Sequence, residues 1–284
     1  MITTIMEMMS HEFMQRAVLV GTLVSICAAL LGVSLVLKRY SMIGDGLSHV
    51  GFGILTIATA FGMTSPLMIS IPGIMIFAII LLKMGNSKKI KSDSAIAILS
   101  SSALAIGVAV TSLTTGLNTD VCNFMFGSLF AMSTSDVYIS IIVSIIVAIL
   151  FILFYRKLFL VTFDEDFAKA SGLSAGKYTS LIAILTALII VVGMRMMGTM
   201  LISSIIIFPA LTSMRIFKSF KKVVISSGIV SVVSFLIGIY LSYIYNISAG
   251  AAIVLVNLTM FIIFTIIDNI VNEEYYILSK ARKE

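Results

Sequence analysis

An aspartate and a histidine four residues apart, Asp45 and His49, lie in the stretch 41–53, which reads Ser-Met-Ile-Gly-Asp-Gly-Leu-Ser-His-Val-Gly-Phe-Gly. On a helix, positions i and i+4 share one face, so a carboxylate and an imidazole would stand side by side. Those groups suit a divalent transition metal: zinc takes His and Asp readily, and carboxylate oxygen suits manganese. Two ligands are too few to close a structural zinc site, but they fit an ion that is held and then released. Two other readings stand beside this one: a mutually satisfied Asp–His pair near a membrane interface, and Asp45 as a helix N-cap. Gly44, Gly46, Gly51 and Gly53 flank the pair. Small residues let neighbouring helices approach or let a helix unwind around an ion, with Gly44 as the first point where this one could break.

A second unusual stretch, 162–172, reads Thr-Phe-Asp-Glu-Asp-Phe-Ala-Lys-Ala-Ser-Gly. Phe163, Phe167 and Ala170 fall at i, i+4 and i+7, the stripe of a short amphipathic helix that Gly172 would end. Its acidic residues would be repelled by an anionic leaflet, so a cytosolic protein partner fits at least as well as a membrane surface. The following Gly-Leu-Ser-Ala-Gly-Lys at 172–177 is not a phosphate loop. It has one residue too few between its glycines and follows no buried strand. No nucleotide site is visible, so an ATPase driving this protein would be another polypeptide. Ser100, Ser101, Ser102, Ser203, Ser204 and Asn257 sit in apolar surroundings, where such groups ordinarily bond a backbone carbonyl or pack against a neighbouring helix.

The elements that position these residues follow from composition. Of 284 residues, 60% are apolar and only 11% charged, with a net charge of +6 and a mean hydropathy of +1.15. So few charges could not cover a soluble globule of this size, which excludes a cytosolic enzyme, a nucleic-acid-binding module and a disordered chain. The expected fold is all-α: a polytopic membrane protein with eight or nine spans in one domain, 1–284. Apolar runs of spanning length fall at 17–37, 44–62, 66–83, 94–115, 136–156, 178–194, 197–213, 223–245 and 248–268. The run 197–213 is short and carries Gly198 and Pro209. A re-entrant path there would misplace the basic run at 215–222, so a full crossing is expected. With residues 1–16 outside and the tail 269–284 cytoplasmic, every lysine and arginine except Arg16 and Arg195 falls inside, a strong positive-inside bias. Ten helical residues beyond the interfacial Arg39, His49 would lie about 15 Å deep, near the middle of the bilayer. An ionisable pair at that depth is functional by default. Arg195 is expected to be an exposed interfacial arginine. Cys27 and Cys122 form no disulfide framework, and Cys27 reads as a small hydrophobe.

Taken in order, four stretches resemble the membrane permeases of the ABC-3 family, the zinc, manganese and iron ABC importers. They are 36–49 (Val-Leu-Lys-Arg-Tyr-Ser-Met-Ile-Gly-Asp-Gly-Leu-Ser-His), 126–129 (Phe-Gly-Ser-Leu), 163–172, and 198–210 (Gly-Thr-Met-Leu-Ile-Ser-Ser-Ile-Ile-Ile-Phe-Pro-Ala). The stretch Ala-Gly-Ala-Ala-Ile-Val at 249–254 also fits. The resemblance implies a homodimer in the plasma membrane of a prokaryote, a cytosolic ATP-binding subunit docked on each chain, and an extracellular metal-binding protein that delivers the ion. It implies metal passage at Asp45 and His49, and a coupling segment containing Asp164, Glu165, Phe167 and Lys169. No permanently bound cofactor and no nucleic acid are implied; zinc or manganese is the cargo. Many family members continue after the histidine with an apolar-Pro-Gly stretch typical of manganese-like sequences, whereas this chain has Val-Gly-Phe-Gly. That departure tilts the expectation towards zinc, with manganese next and iron third.

The expected mechanism is alternating access at the dimer interface, driven by the separate ATPase. The rivals are a siderophore- or cobalamin-type ABC permease, whose larger cargo needs no Asp–His pair, and an ATP-independent cation carrier. No paired aspartates, His-Glu-x-x-His or Ser/His dyad supports an intramembrane enzyme.

Overall fold

The computed structural model describes residues 2–63, 66–85, 92–114, 127 and 133–281, and all regular structure among them is helical. In chain order the described helices are α1 (Ile2–Ser10), α2 (Glu12–Leu37), α3 (Ser41–Ala60), α4 (Pro66–Gly85), α5 (Ser92–Leu113), α6 (Thr134–Phe163), α7 (Glu165–Ala170), α8 (Ala175–Met197), α9 (Thr199–Ile216), α10 (Phe220–Tyr245) and α11 (Ala249–Ala281). Seven of them, α2, α4, α5, α6, α8, α10 and α11, are long and apolar enough to cross a membrane. The chain is an all-α, multi-pass membrane protein.

The two expected spans outside that group are α3 and α9. The glycines, Asp45 and His49 dilute the apolar character of α3, and the apolar part of α9 is the short stretch Leu201–Ile216. Both lie inside the bundle: α3 buries Leu47, Phe52 and Leu55, and α9 buries Leu201, Ile202, Ile205 and Ile206. At about 1.5 Å per residue the 18 residues of α9 extend about 27 Å, and Pro209 sits within the helix without ending it. Near its far end Ser213 donates to Ser226 Oγ in α10 at 3.2 Å.

Local chemistry sets the boundaries. Ser133 and Asp136 form a reciprocal capping box at the start of α6. Asp164 caps α7 by accepting the Phe167 amide at 2.8 Å, and Gly198, at φ +85, separates α8 from α9. The helix that ends the chain does not stop with its apolar part: α11 continues through the expected tail to Ala281.

Contacts between helix ends fix relative directions. Arg16 at the start of α2 donates to Thr134 Oγ1 at the start of α6 at 3.3 Å, and Arg195 at the end of α8 pairs with Asp136. At the opposite end Lys38, which caps α2, reaches Val161 near the end of α6 and Thr179 near the start of α8. Thus α2 and α6 run one way and α8 the other. Serines also join helices: Ser227 and Ser231 of α10 donate to the Ala29 and Ser25 carbonyls of α2 at 3.3 and 2.9 Å, and of the polar residues singled out in the sequence Ser203 and Asn257 donate to the Thr199 and Ile253 carbonyls at 3.3 and 3.1 Å.

Helix α3 packs against α5, and the closest approach is at Gly53, where a Cβ would stand 2.7 Å from the Ala103 carbonyl oxygen. Backbone cannot yield as a flexible side chain can. Gly53→Val is expected to force α3 from α5 and to destabilise the protein by about 1–3 kcal/mol. A lowered melting temperature in detergent would show it, and an unchanged one would mean the two helices are free to part.

Candidate functional site

The face that α3 and α5 share holds a cavity of about 480 Å³, lined by Asp45, His49, Asp93, Ser100, Ser101 and Met42 among others. Helix α3 is continuous through Gly44 and Gly46, so the break that Gly44 allowed does not occur. The continuous helix brings the pair together as its spacing predicts: His49 Nε2 lies 3.8 Å from Asp45 Oδ2. The side chains are 19% and 43% exposed respectively, so the pair is accessible from the cavity.

Two of the alternative readings can now be weighed. Asp45 is not an N-cap, because Tyr40 occupies that position. Nor is the pair mutually satisfied: 3.8 Å exceeds a hydrogen bond, and His49 Nδ1 is buried without a partner. Ser100 Oγ is likewise buried without one; of the two roles expected of it, packing against a neighbouring helix is the one present, at Gly46 of α3. Buried polar atoms normally find partners, and both of these belong to residues that line the one cavity. Among the described residues no three His, Cys, Asp or Glu side chains gather closely enough to hold a metal ion. Asp45, His49 and Asp93 of one chain line the cavity without closing into such a cluster.

The sequence reading missed Asp93. It stands in the first turn of α5, and Asp93, Ala97, Ser100, Ser101 and Leu104 follow one helical face onto the cavity. That periodicity was the available signal; the pairing of this face with α3 was not.

At the opposite end from Arg16 lies the acidic stretch. Gly172 (φ +80) follows the last turn of α7, as expected, and Asp164 caps its start. The buried face differs. Phe163 closes α6, its ring 5.8 Å from that of Phe220, and Phe167 is 58% exposed. Ala168, rather than Ala170, packs inward beside Val161 and Ala175. A stripe counted across the break at Asp164 could not predict this, because the helical register restarts there. Glu165 Oε2 accepts from the buried Lys38 ammonium at 3.2 Å, and Oε1 lies 3.2 Å from Lys169 Nζ. Burial raises the Glu165 carboxyl, but hydrogen bonding and charge from Lys38 and then Lys169 outweigh it and hold it below its usual value. The tie is therefore complete at neutral pH and is lost only as pH falls through that lowered value. The same contact with Glu165 raises the Lys169 ammonium.

At the other end Arg195 is not the exposed arginine expected. Its side chain is 14% exposed and its Nη2 lies 2.7 Å from Asp136 Oδ2, itself 5% exposed. Of the 126–129 motif only Gly127 is described. Most of the outer loop 116–135, and the basic residues Lys88, Lys89, Lys91, Arg282 and Lys283, lie outside the described residues.

The sequence profile of the ABC 3 transport family matches residues 10–268. The manganese import system permease protein ScaB of Streptococcus gordonii is 31% identical over 252 residues, spanning 89% of this chain and 90% of that one. A Haemophilus influenzae protein named "Probable iron transport system membrane protein" is 34% identical over 267 residues, spanning 91% and 95%. Among solved structures, PsaBC from Streptococcus pneumoniae in complex with Fab superposes with a TM-score of 0.84 at 30% identity, over 93% of this chain and 95% of that one.

Proposed function

The chain belongs to the ABC 3 transport family, and we propose that it is the permease subunit of an ATP-driven importer of divalent metal cations, with manganese as the leading cargo. The observation that carries this reading is the unpaired His49 ring beside Asp45 in a cavity that also presents Asp93 and two serine hydroxyls. A dication in a membrane needs carboxylate to offset its charge, and an incomplete shell lets it leave again. A larger chelate has no use for such a pair.

The missing proline after His49 favoured zinc. Cavity chemistry favours manganese, because carboxylate and hydroxyl oxygens outnumber the single imidazole. The relatives named for manganese and iron support oxygen-loving cargo as well, and zinc, put first by the sequence, falls behind both as a cargo of the wider family.

The partial ligand set fits a homodimer in which a second copy completes the shell around a shared path. In this reading α3 and α9 also cross, giving nine spans in one permease domain of the plasma membrane. Residues 1–16 then lie outside, the tail 269–284 lies in the cytoplasm, and the basic residues stay inside. An extracellular metal-binding protein delivers the ion over the outer loops, including 116–135. On the cytosolic face α7 receives a separate ATP-binding subunit: Asp164 caps the helix, Glu165 and Lys169 hold it, and Phe167 projects into the partner. ATPase closure shifts the dimer between outward- and inward-open states.

Copurification with the cognate ATP-binding subunit tests this. The wild-type chain should retain it, and Phe167→Ala should weaken retention by about tenfold, a typical loss for an aromatic anchor, without lowering yield, since Phe167 is exposed. Metal uptake by a chain that retains no ATPase would establish an ATP-independent carrier instead.

A further inference from the structure

Lysine is seldom buried, and Lys38 is only 6% exposed. An ammonium has three N–H donors, and each has an acceptor on a different element. Nζ donates to the Val161 carbonyl at the end of α6 at 3.1 Å, to Glu165 Oε2 of α7 at 3.2 Å, and to Thr179 Oγ1 of α8 at 3.0 Å. Lys38 itself caps α2. One side chain thus ties four helices together at the foot of the bundle.

The same residue opens the turn into α3. That turn is closely held: Arg39 sits at φ +60, its amide bonds the Val36 carbonyl at 3.0 Å, the Tyr40 amide bonds Leu35 at 2.8 Å, and the Ile43 amide bonds Tyr40 at 3.0 Å. Backbone so constrained moves as a unit with the helix it starts. Asp45 lies one turn into α3, and His49 one turn further. An unbroken run of contacts and backbone thus leads from Glu165 through Lys38 to Asp45.

We propose that Lys38 is the positioning residue that transmits displacement of α7 to the cavity-lining helix α3, so that ATPase closure alters the Asp45–His49 site. The inference rests on the proposed roles of α7 and of that site. Glu165 is the point where the motion enters, and the three-way fork of Lys38 keeps α2, α6 and α8 in step with it. A two-state element biased from both ends is what such coupling requires.

The test uses the assembled transporter, with its ATP-binding subunit, reconstituted in liposomes. Lys38→Met removes all three donors. Glu165 is 39% exposed and keeps Lys169, so the variant is not left with an uncompensated buried charge. The expected result is normal complex yield, ATP hydrolysis at the wild-type rate, unchanged equilibrium manganese binding by the solubilised permease, and manganese accumulated per ATP lowered about tenfold. Lys38→Arg keeps the charge but cannot place donors on the same three acceptors, and should fall between. If Lys38→Met does not assemble, the same ratio in Lys38→Arg decides. An unchanged ratio overturns the proposal. So does a parallel fall of yield, hydrolysis and uptake in both variants, which would make Lys38 only a structural tie. Failure of the wild-type complex to accumulate metal would remove the underlying reading before any variant is compared.

Discussion

Alanine at Asp45 or at His49 is expected to abolish metal uptake and leave the protein folded. Loss of a partner that merely orients a metal ligand costs about 10–100-fold, so loss of a direct ligand from an already partial set should exceed ~100-fold in transport. Stability should not follow. Asp45 is 43% exposed and makes no short hydrogen bond through its carboxylate to His49, and His49 Nδ1 is already without a partner. Removing an unsatisfied buried polar atom is neutral or favourable. The melting temperature of His49→Ala in detergent should therefore equal or exceed the wild type, while transport is lost. Sites that bind cargo commonly trade stability for function in this way. A variant that transports normally would place the ion elsewhere, and one that unfolds would make the pair structural.

Asp136→Ala carries the largest expected loss of stability. It leaves the Arg195 guanidinium, 14% exposed, without its carboxylate, and it opens the capping box at the start of α6. Breaking a buried pair from one side costs about 3–5 kcal/mol, and loss of a cap costs about 1 kcal/mol more. The double variant Asp136→Leu, Arg195→Met removes both charges and should recover most of the first cost. Denaturation of the two singles and the double gives the coupling directly. A single variant within about 1 kcal/mol of wild type, the range of exposed ion pairs, would show that the pair is solvated.

What could be read in the sequence was local, and what could not was long-range. Asp45 and His49 announce themselves because i and i+4 meet on any helix, and the limits of α7 follow from Asp164 and Gly172 by capping rules. The partner of Arg195 lies 59 residues away, and Asp93 reaches the cavity only through the packing of α5 on α3; neither pairing has a local signature. In the sequence Lys38 counts only as one of the basic residues placed inside, and its burial depends on three separate helices. Apolar length marks α2 and α8 as readily as the more exposed α6 and α11. Of the two helices that line the cavity, α5 is long and apolar enough to cross a membrane, whereas the glycines, Asp45 and His49 dilute α3.

The most direct measurement is ATP-dependent accumulation of manganese, with iron and zinc as competitors. It would use cells lacking their own importers that carry this chain with its cognate ATP-binding subunit and extracellular metal-binding protein. The account predicts uptake that requires ATP hydrolysis, is competed best by unlabelled manganese, and vanishes with Asp45→Ala or His49→Ala. Uptake that persists with an inactive ATP-binding subunit, or in a chain lacking both side chains, would contradict it.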